Sequence, residues 1–179
     1  VSDARLIRPA SPQDAASCAA IYAHYVRDTA VSFETEPPSE QEMARRIETS
    51  TARYAWLVLE EEGAVVGFAF AGAFRPREAY RFTCEVSVYL ETEHRGAGRG
   101  RALYDALLPR LRERGYRRAI AVVAQPNPAS DRLHERLGFT RVGVLENVGR
   151  KHGAWHDVAW FQLDLIGGED PDEEPDEPR

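Results

Sequence analysis

Residues 85–103 read Glu85-Val86-Ser87-Val88-Tyr89-Leu90-Glu91-Thr92-Glu93-His94-Arg95-Gly96-Ala97-Gly98-Arg99-Gly100-Arg101-Ala102-Leu103. The first six residues alternate and are rich in β-branched side chains, which predicts a strand. Its two-residue period puts Glu85, Ser87 and Tyr89 on one face and Val86, Val88 and Leu90 on the other. Three glycines, Gly96, Gly98 and Gly100, follow in a turn. Leu103, Leu107, Leu108 and Leu111 then recur at helical spacing. A strand, a glycine turn and a helix N-terminus make an anion site. Glycine lets the backbone approach a phosphate, and the N–H groups of the first helical turn point at it.

Which phosphate is decided by what the stretch lacks. A Walker loop ends in Gly-Lys-Ser/Thr to hold nucleotide and magnesium. Here the ending is Gly100-Arg101-Ala102, without the lysine or the hydroxyl. A dinucleotide fingerprint follows the first strand of a βαβ unit and has an acid about 20 residues on. Here several elements come first, and Ala119-Ile120-Ala121-Val122-Val123 ends without an acid. A pyrophosphate-bearing acyl carrier is the remaining reading.

Outward from this stretch, Arg5 to Arg8 predicts a short strand. Ser11-Pro12-Gln13-Asp14 opens a helix to about Asp28, and Ser39-Glu40-Gln41-Glu42, a capping box, opens a second to about Ser50. Tyr54–Glu61 and Val65–Phe74 form a hairpin about Glu62-Gly63. Arg75 to Arg81 is a polar loop. The helix after the glycine turn runs to about Arg114, with Pro109 expected to kink it or lengthen a hydrogen bond. Arg118–Val123 is a strand, and Pro128 starts a short helix to Leu137. Phe139–Val148 and Trp155–Leu165 are strands, with Trp56, Trp155 and Trp160 read as core. The order β-α-α-β-β-β-α-β-α-β-β is that of an α/β domain with a mixed sheet of about seven strands.

Composition narrows the partners. The 179 residues are 43% hydrophobic, enough for one domain with a core. The formal net charge is −6. Residues 169–179 carry seven acids and one arginine, so the rest of the chain is neutral. Nucleic-acid binders carry a basic excess, so none is expected as ligand. The chain divides into a domain over residues 1–166 and an acidic tail over 167–179, expected to be disordered. Cys18 and Cys84 fall in a predicted helix and strand and read as small apolar residues of a reducing compartment. No apolar run reaches the ~20 residues of a membrane span, and residues 1–5 lack the pattern of a signal peptide, so a cytoplasmic protein is expected. Five scattered histidines and two cysteines form no metal-ligand cluster, so no metal is expected.

Arg95-Gly96-Ala97-Gly98-Arg99-Gly100 fits the Arg/Gln-x-x-Gly-x-Gly/Ala motif of the GNAT N-acetyltransferase superfamily, after the fourth strand as there. Asn127, Ser130, His134 and Leu137-Gly138-Phe139 resemble the helix and strand that follow its fifth strand. Within the superfamily the chain is most similar to phosphinothricin and methionine sulfone or sulfoximine acetyltransferases. Ile21-Tyr22-Ala23-His24-Tyr25-Val26, Phe33-Glu34, Phe74-Arg75-Pro76-Arg77 and Val148-Gly149-Arg150-Lys151-His152-Gly153 carry that resemblance. It implies a GNAT-type, mostly antiparallel sheet flanked by helices, a homodimer, and acetyl transfer from acetyl-CoA to the α-amine of a small amino-acid-like substrate. Main-chain groups of Gly96 to Arg101 would hold the pyrophosphate, with charge added by Arg95, Arg99 and Arg101. Val88, Tyr89 and Leu90 would pair with the pantetheine arm as an added strand does. Asn127 and Ser130, which cap a helix, would also contact CoA.

The same resemblance makes Glu85 the general base, since an amine must lose a proton before it attacks a thioester. Asn127 and His134 lie seven apart, about two helical turns, and share a face. His134 stands where most of the superfamily has a tyrosine thought to protonate the CoA thiolate, and this role is expected of it or of water. Phe33, Glu34, Glu78, Tyr80 and Ser87 are implied substrate contacts. Arg75 and Lys151 lie in donor-rich segments suited to carboxylate and phosphinate groups. Alternatives of related kind acetylate a protein N-terminus, a lysine or another small amine. A CoA-binding regulatory protein without turnover is the alternative of a different class.

Overall fold

The computed structural model describes residues 5–168 and Pro178. The acidic tail expected to be disordered falls almost wholly outside the described residues. The elements are β1 (Leu6–Pro9), α1 (Ala15–Asp28), α2 (Glu40–Arg53), β2 (Trp56–Glu61), β3 (Ala64–Ala73), β4 (Thr83–Leu90), α3 (Arg99–Glu113), β5 (Arg118–Ala124), α4 (Pro128–Arg136), β6 (Thr140–Lys151) and β7 (Ala154–Asp164). The seven strands form one sheet in the order β1-β2-β3-β4-β5-β7-β6. Only β4 and β5 run parallel. The α/β expectation of a mixed, mostly antiparallel, seven-stranded sheet flanked by helices therefore holds.

Local chemistry sets the boundaries. The Ser39 hydroxyl accepts the Glu42 N–H at 3.1 Å and caps α2. At Ser11 the α-helix does not start at once. Pro12–Asp14 forms one 3₁₀ turn first. The Asp14 carboxylate accepts the Ser11 N–H at 2.8 Å and pairs with Arg8 at 2.8 and 3.0 Å, which ties this turn to β1. Glu62-Gly63 and His152-Gly153 each take two consecutive positive φ values, +51°/+80° and +49°/+78°. That is the two-residue turn whose twist matches antiparallel strands. The second turn extends β6 to Lys151, past the predicted end at Val148. α3 runs through Pro109 to Glu113.

The sheet separates two cores. Under α3, Leu103, Leu107 and Leu111 are fully buried against Val86, Ala119 and Phe161. Truncating one such leucine costs about 2–5 kcal/mol. Under α1 and α2, Ile21, Tyr25, Met43 and Ile47 pack on Trp56, Val58 and Phe68. Trp155 is not core as expected: it is 60% exposed, because it lies at the turn end of the β6–β7 hairpin, away from the part of β7 that packs under α3 and α4.

The feature that positions the site is a partial pairing. β4 and β5 pair only at Thr83↔Arg118, Cys84↔Ala119 and Glu85↔Ile120. Beyond that β5 stays with β7 as far as Ala124↔Val158, while β4 stays with β3 as far as Leu90↔Gly67. The two strands diverge and leave an opening in the sheet. The Glu91 N–H donates to the Val66 carbonyl at 2.9 Å, which fixes the alternation. Main-chain groups of Glu85, Ser87 and Tyr89 face β3, and those of Val88 and Leu90 face the opening.

Candidate active site

The opening holds a cavity of about 50 Å³, lined by Val86 to Tyr89, by Ala121 to Ala124, and by Val31, Tyr104, Asn127, Ser130 and His134. Leu90 closes one end. Its N–H donates to the Tyr25 hydroxyl at 3.1 Å, and that hydroxyl donates to the Leu90 carbonyl at 2.6 Å. Val88 thus keeps main-chain groups directed into the opening. Tyr89 spends its own on β3 and its ring on Tyr22, Tyr25 and Phe68, at centroid distances of 4.9, 4.9 and 5.4 Å.

The glycine turn sits beyond Leu90. Gly96, Ala97 and Gly98 have φ of +86°, +47° and +75°, three left-handed residues in succession. The run leads directly into the N-terminus of α3, where first-turn N–H groups favour an anion. A Cβ at Gly100 would lie 3.3 Å from the end of the Leu133 side chain, so the start of α3 packs closely on α4. The three arginines differ. Arg99 holds Glu61 at 2.7 and 2.9 Å, and the Glu61 carboxyl is held below its usual range mainly by that pairing. Its guanidinium therefore ties α3 to β2. Arg95 lies over the Tyr25 ring at 5.0 Å, and Arg101 pairs with the exposed Asp105 at 3.3 Å.

Glu85 emerges on the α1/α2 face at the last paired position of β4. It is half-buried, and burial raises its pKa above the usual carboxylate value while Arg75 opposes the rise. Arg75 stacks on Phe74 and Trp160 at 5.3 and 5.5 Å, and among the described residues no carboxylate pairs with it. Tyr80 meets Phe74 edge-on at 5.5 Å. Arg75, Tyr80, Phe74 and Trp160 thus form one cluster whose charge reaches Glu85. A larger cavity, about 520 Å³, lies between α2 and strands β2 and β3. One of its lining residues, Gly72, is the cross-strand partner of Glu85.

His134 is 3% exposed. Its Nδ1 is 2.8 Å from the Ser130 carbonyl, which only accepts, so Nδ1 carries the proton. Nε2 then offers its lone pair to the Tyr104 hydroxyl at 3.2 Å. The ring stacks on Phe161 at 5.4 Å, and burial lowers its pKa from 6.5. Asn127 accepts the Ser130 N–H at 3.1 Å and caps α4.

The model of the family described as "Acetyltransferase (GNAT) domain" matches residues 7–160. The chain belongs to the GNAT acetyltransferase family. It is 44% identical over 159 residues to phosphinothricin N-acetyltransferase of Streptomyces viridochromogenes, covering 89% of this chain and 87% of that one. It is 36% identical over 167 residues to the L-methionine sulfoximine/L-methionine sulfone acetyltransferase of Salmonella typhimurium, covering 93% and 98%. A phosphinothricin acetyltransferase of Sinorhizobium meliloti, solved in complex with acetyl-CoA, superposes with a TM-score of 0.87 at 43% identity, covering 90% and 88%.

In this acetyltransferase the residues expected at the acceptor fall into two groups. Ser87 lines the opening, Glu85 stands where it begins, and Arg75 and Tyr80 belong to the aromatic cluster whose charge reaches Glu85. Glu34, Lys151 and Glu78 are engaged elsewhere. Glu34 accepts from Arg46 at 2.8 and 3.2 Å and from Tyr22 at 3.0 Å. Lys151 is buried, its Nζ donating to the Ser32 carbonyl at 2.6 Å, and burial lowers its pKa. It fastens the β6–β7 hairpin to the loop carrying Phe33, whose ring lies against Gly149. Glu78 is exposed near Arg81. Tyr104 and Trp160 were not expected at the site: Trp160 read as core, and Tyr104 lies inside the helix after the glycine turn, next to Leu103. The signal available for Tyr104 was a hydroxyl on the buried face of a helix, which requires a partner.

Proposed function

We propose that this acetyltransferase moves an acetyl group directly from acetyl-CoA to the α-amine of a small amino-acid-like acceptor of the phosphinothricin or methionine sulfone/sulfoximine type. The observation that carries this reading is a carboxylate, Glu85, at the point where β4 and β5 part, in a chain whose relatives with those activities match it almost end to end. The pyrophosphate rests on N–H groups of the Gly96 to Arg101 turn, apart from that of Arg99, which donates to the Gly96 carbonyl at 3.2 Å, with Arg95 and Arg101 adding charge. The pantetheine amides pair with the open edge at Val88. Three left-handed residues and an unpaired strand edge are what such a donor requires.

The acceptor approaches from the α1/α2 face. Arg75 meets its carboxylate, with Tyr80, Ser87 and Phe33 around it. Glu85 takes one proton from the ammonium group, and its raised pKa makes it a better base than an exposed carboxylate. The Val88 N–H polarises the thioester oxygen. We further propose a cytoplasmic homodimer. Val142, Val144, Leu145, Val148 and Trp155, 40–60% exposed on the outer hairpin, offer the apolar surface for it.

Thiol release from acetyl-CoA, measured with methionine sulfone, methionine sulfoximine, phosphinothricin and the common amino acids, tests this reading. Release with the sulfone, sulfoximine or phosphinate acceptors is expected. Release with peptide N-termini alone, or with no amine at all, refutes it.

A further inference from the structure

We propose that Tyr104 carries the proton that passes from the acceptor nitrogen to the departing sulfur, with His134 behind it as positioning residue and temporary proton store. The inference rests on the acetyl-transfer reading above and adds a second proton route to it.

The need for a second route follows from counting protons. An ammonium acceptor R–NH₃⁺ and CH₃CO–S–CoA give R–NH–CO–CH₃, HS–CoA and one H⁺. Nitrogen loses two protons. One goes to solvent, and the other ends on sulfur. Glu85 is half-exposed on the acceptor face and suits the first. The second passes between two atoms inside the opening. Tyr104 and His134 line that opening, are 1% and 3% exposed, and lie 3.2 Å apart through Oη and Nε2.

Their hydrogen bonds set a direction. The Ser130 carbonyl holds the His134 proton on Nδ1, so the Tyr104 hydroxyl donates to Nε2. As the C–N bond forms, the N–H⁺ of the adduct passes its proton to the Tyr104 oxygen while Tyr104 passes its own to Nε2. The imidazolium is met by the Ser130 carbonyl and by the Asp131 charge on its own helix. As the C–S bond breaks, its electron pair stays on sulfur and takes the Tyr104 proton, and Nε2 returns the stored one. Both residues end as they began, and no co-reactant is consumed.

The surroundings fit a store that empties readily. Glu85 from β4 and Asp131 from α4 are the charges that bear on the pair; Phe139 and Phe161 pack on the imidazole without charge. Burial disfavours the imidazolium, so the proton is held only until a thiolate can take it. Burial also pushes the Tyr104 phenol well above its usual value, so Tyr104 hands protons on instead of losing one. His134 in this reading is not the acid that meets the sulfur. Its Nε2 is occupied by Tyr104.

The test uses the full chain, acetyl-CoA and methionine sulfone, with Tyr104→Phe, His134→Gln and the double variant. Tyr104→Phe keeps the ring and its packing, so melting temperature and CoA binding report an intact fold. Its kcat is expected to fall about 10²-fold, the low end for a positioned proton donor, with KM for acetyl-CoA changed less than about twofold. The double variant is expected to be no slower than the slower single, because the residues act as one unit. The wild-type solvent isotope effect is expected to bow against deuterium fraction, as for two protons in flight, and to lose the bow in Tyr104→Phe. A Tyr104→Phe kcat within about threefold of wild type, or losses that multiply in the double variant, overturns the inference. The wild-type rate reports the acetyl-transfer reading, and the ratio of variant to wild type reports the pair.

Discussion

Replacing Glu85 by Gln separates catalysis from stability in opposite directions. Glutamine keeps the shape of the side chain and removes the proposed base. A positioned base contributes about 10²–10⁴-fold, so kcat/KM should fall by that factor, equivalent to about 2.7–5.5 kcal/mol of transition-state stabilisation. Among the described residues no hydrogen-bond donor holds the Glu85 carboxylate, and burial outweighs the opposing Arg75 charge in setting its pKa above the usual value. The folded protein therefore binds that proton more tightly than the unfolded chain does. The stability this group contributes is fully present below pH 4.5 and is lost as pH rises through the raised pKa. At pH 8 wild type bears the cost of a partly desolvated charge and Glu85→Gln does not. The variant should melt at a higher temperature than wild type at pH 8, and the gap should close as pH falls toward 4.5. Thiol-release rates with methionine sulfone should show an ascending limb in wild type, from ionisation of the proposed base, and lose it in the variant. A kcat/KM within threefold of wild type, or a variant less stable than wild type at pH 8, would refute the reasoning.

Three other substitutions probe the frame of the site. Gly98→Ala puts a Cβ at φ +75° in the anion turn, and the strain should raise KM for acetyl-CoA about tenfold while kcat changes little, measured by thiol release at saturating acceptor. Lys151→Met strands the buried Ser32 carbonyl, so urea unfolding should show a loss of about 1–3 kcal/mol, and the loosened Phe33 loop should raise KM for the acceptor. Trp155→Glu places a charge in the exposed apolar stripe of the outer hairpin, and light scattering should show the mass falling from that of the proposed dimer to that of a monomer.

What was legible in the sequence was what one segment decides for itself. The alternation of β4 put Glu85, Ser87 and Tyr89 on the face they occupy, and the glycines marked the left-handed turn. Hairpin turns at Glu62-Gly63 and His152-Gly153 need only their own residues. The parting of β4 from β5 was not legible, since a strand's own residues do not say where its neighbour leaves it. For the same reason Arg99 read as a phosphate contact when its partner, Glu61, lies 38 positions away. Glu34 and Lys151 likewise read as free ligating groups until Arg46 and the Ser32 carbonyl were brought beside them. Trp155 read as core because a tryptophan in a strand usually is. How far along β7 the helices reach is a property of their placement, not of β7.

A strand edge left open inside a sheet invites any extended backbone to add to it. Here the invitation is short. The Glu85↔Ile120 pair ends the ladder on one side, the Tyr25 hydroxyl occupies Leu90 on the other, and little more than Val88 stands between. A polypeptide gains stability on an edge only through several successive bonds, so this one is too brief to recruit another chain. A slender ligand with one or two amides loses nothing by that brevity. If the proposed pantetheine arm adds at Val88, the same tyrosine that ends the opening acts as a filter, leaving room for an amide-bearing arm and none for a strand.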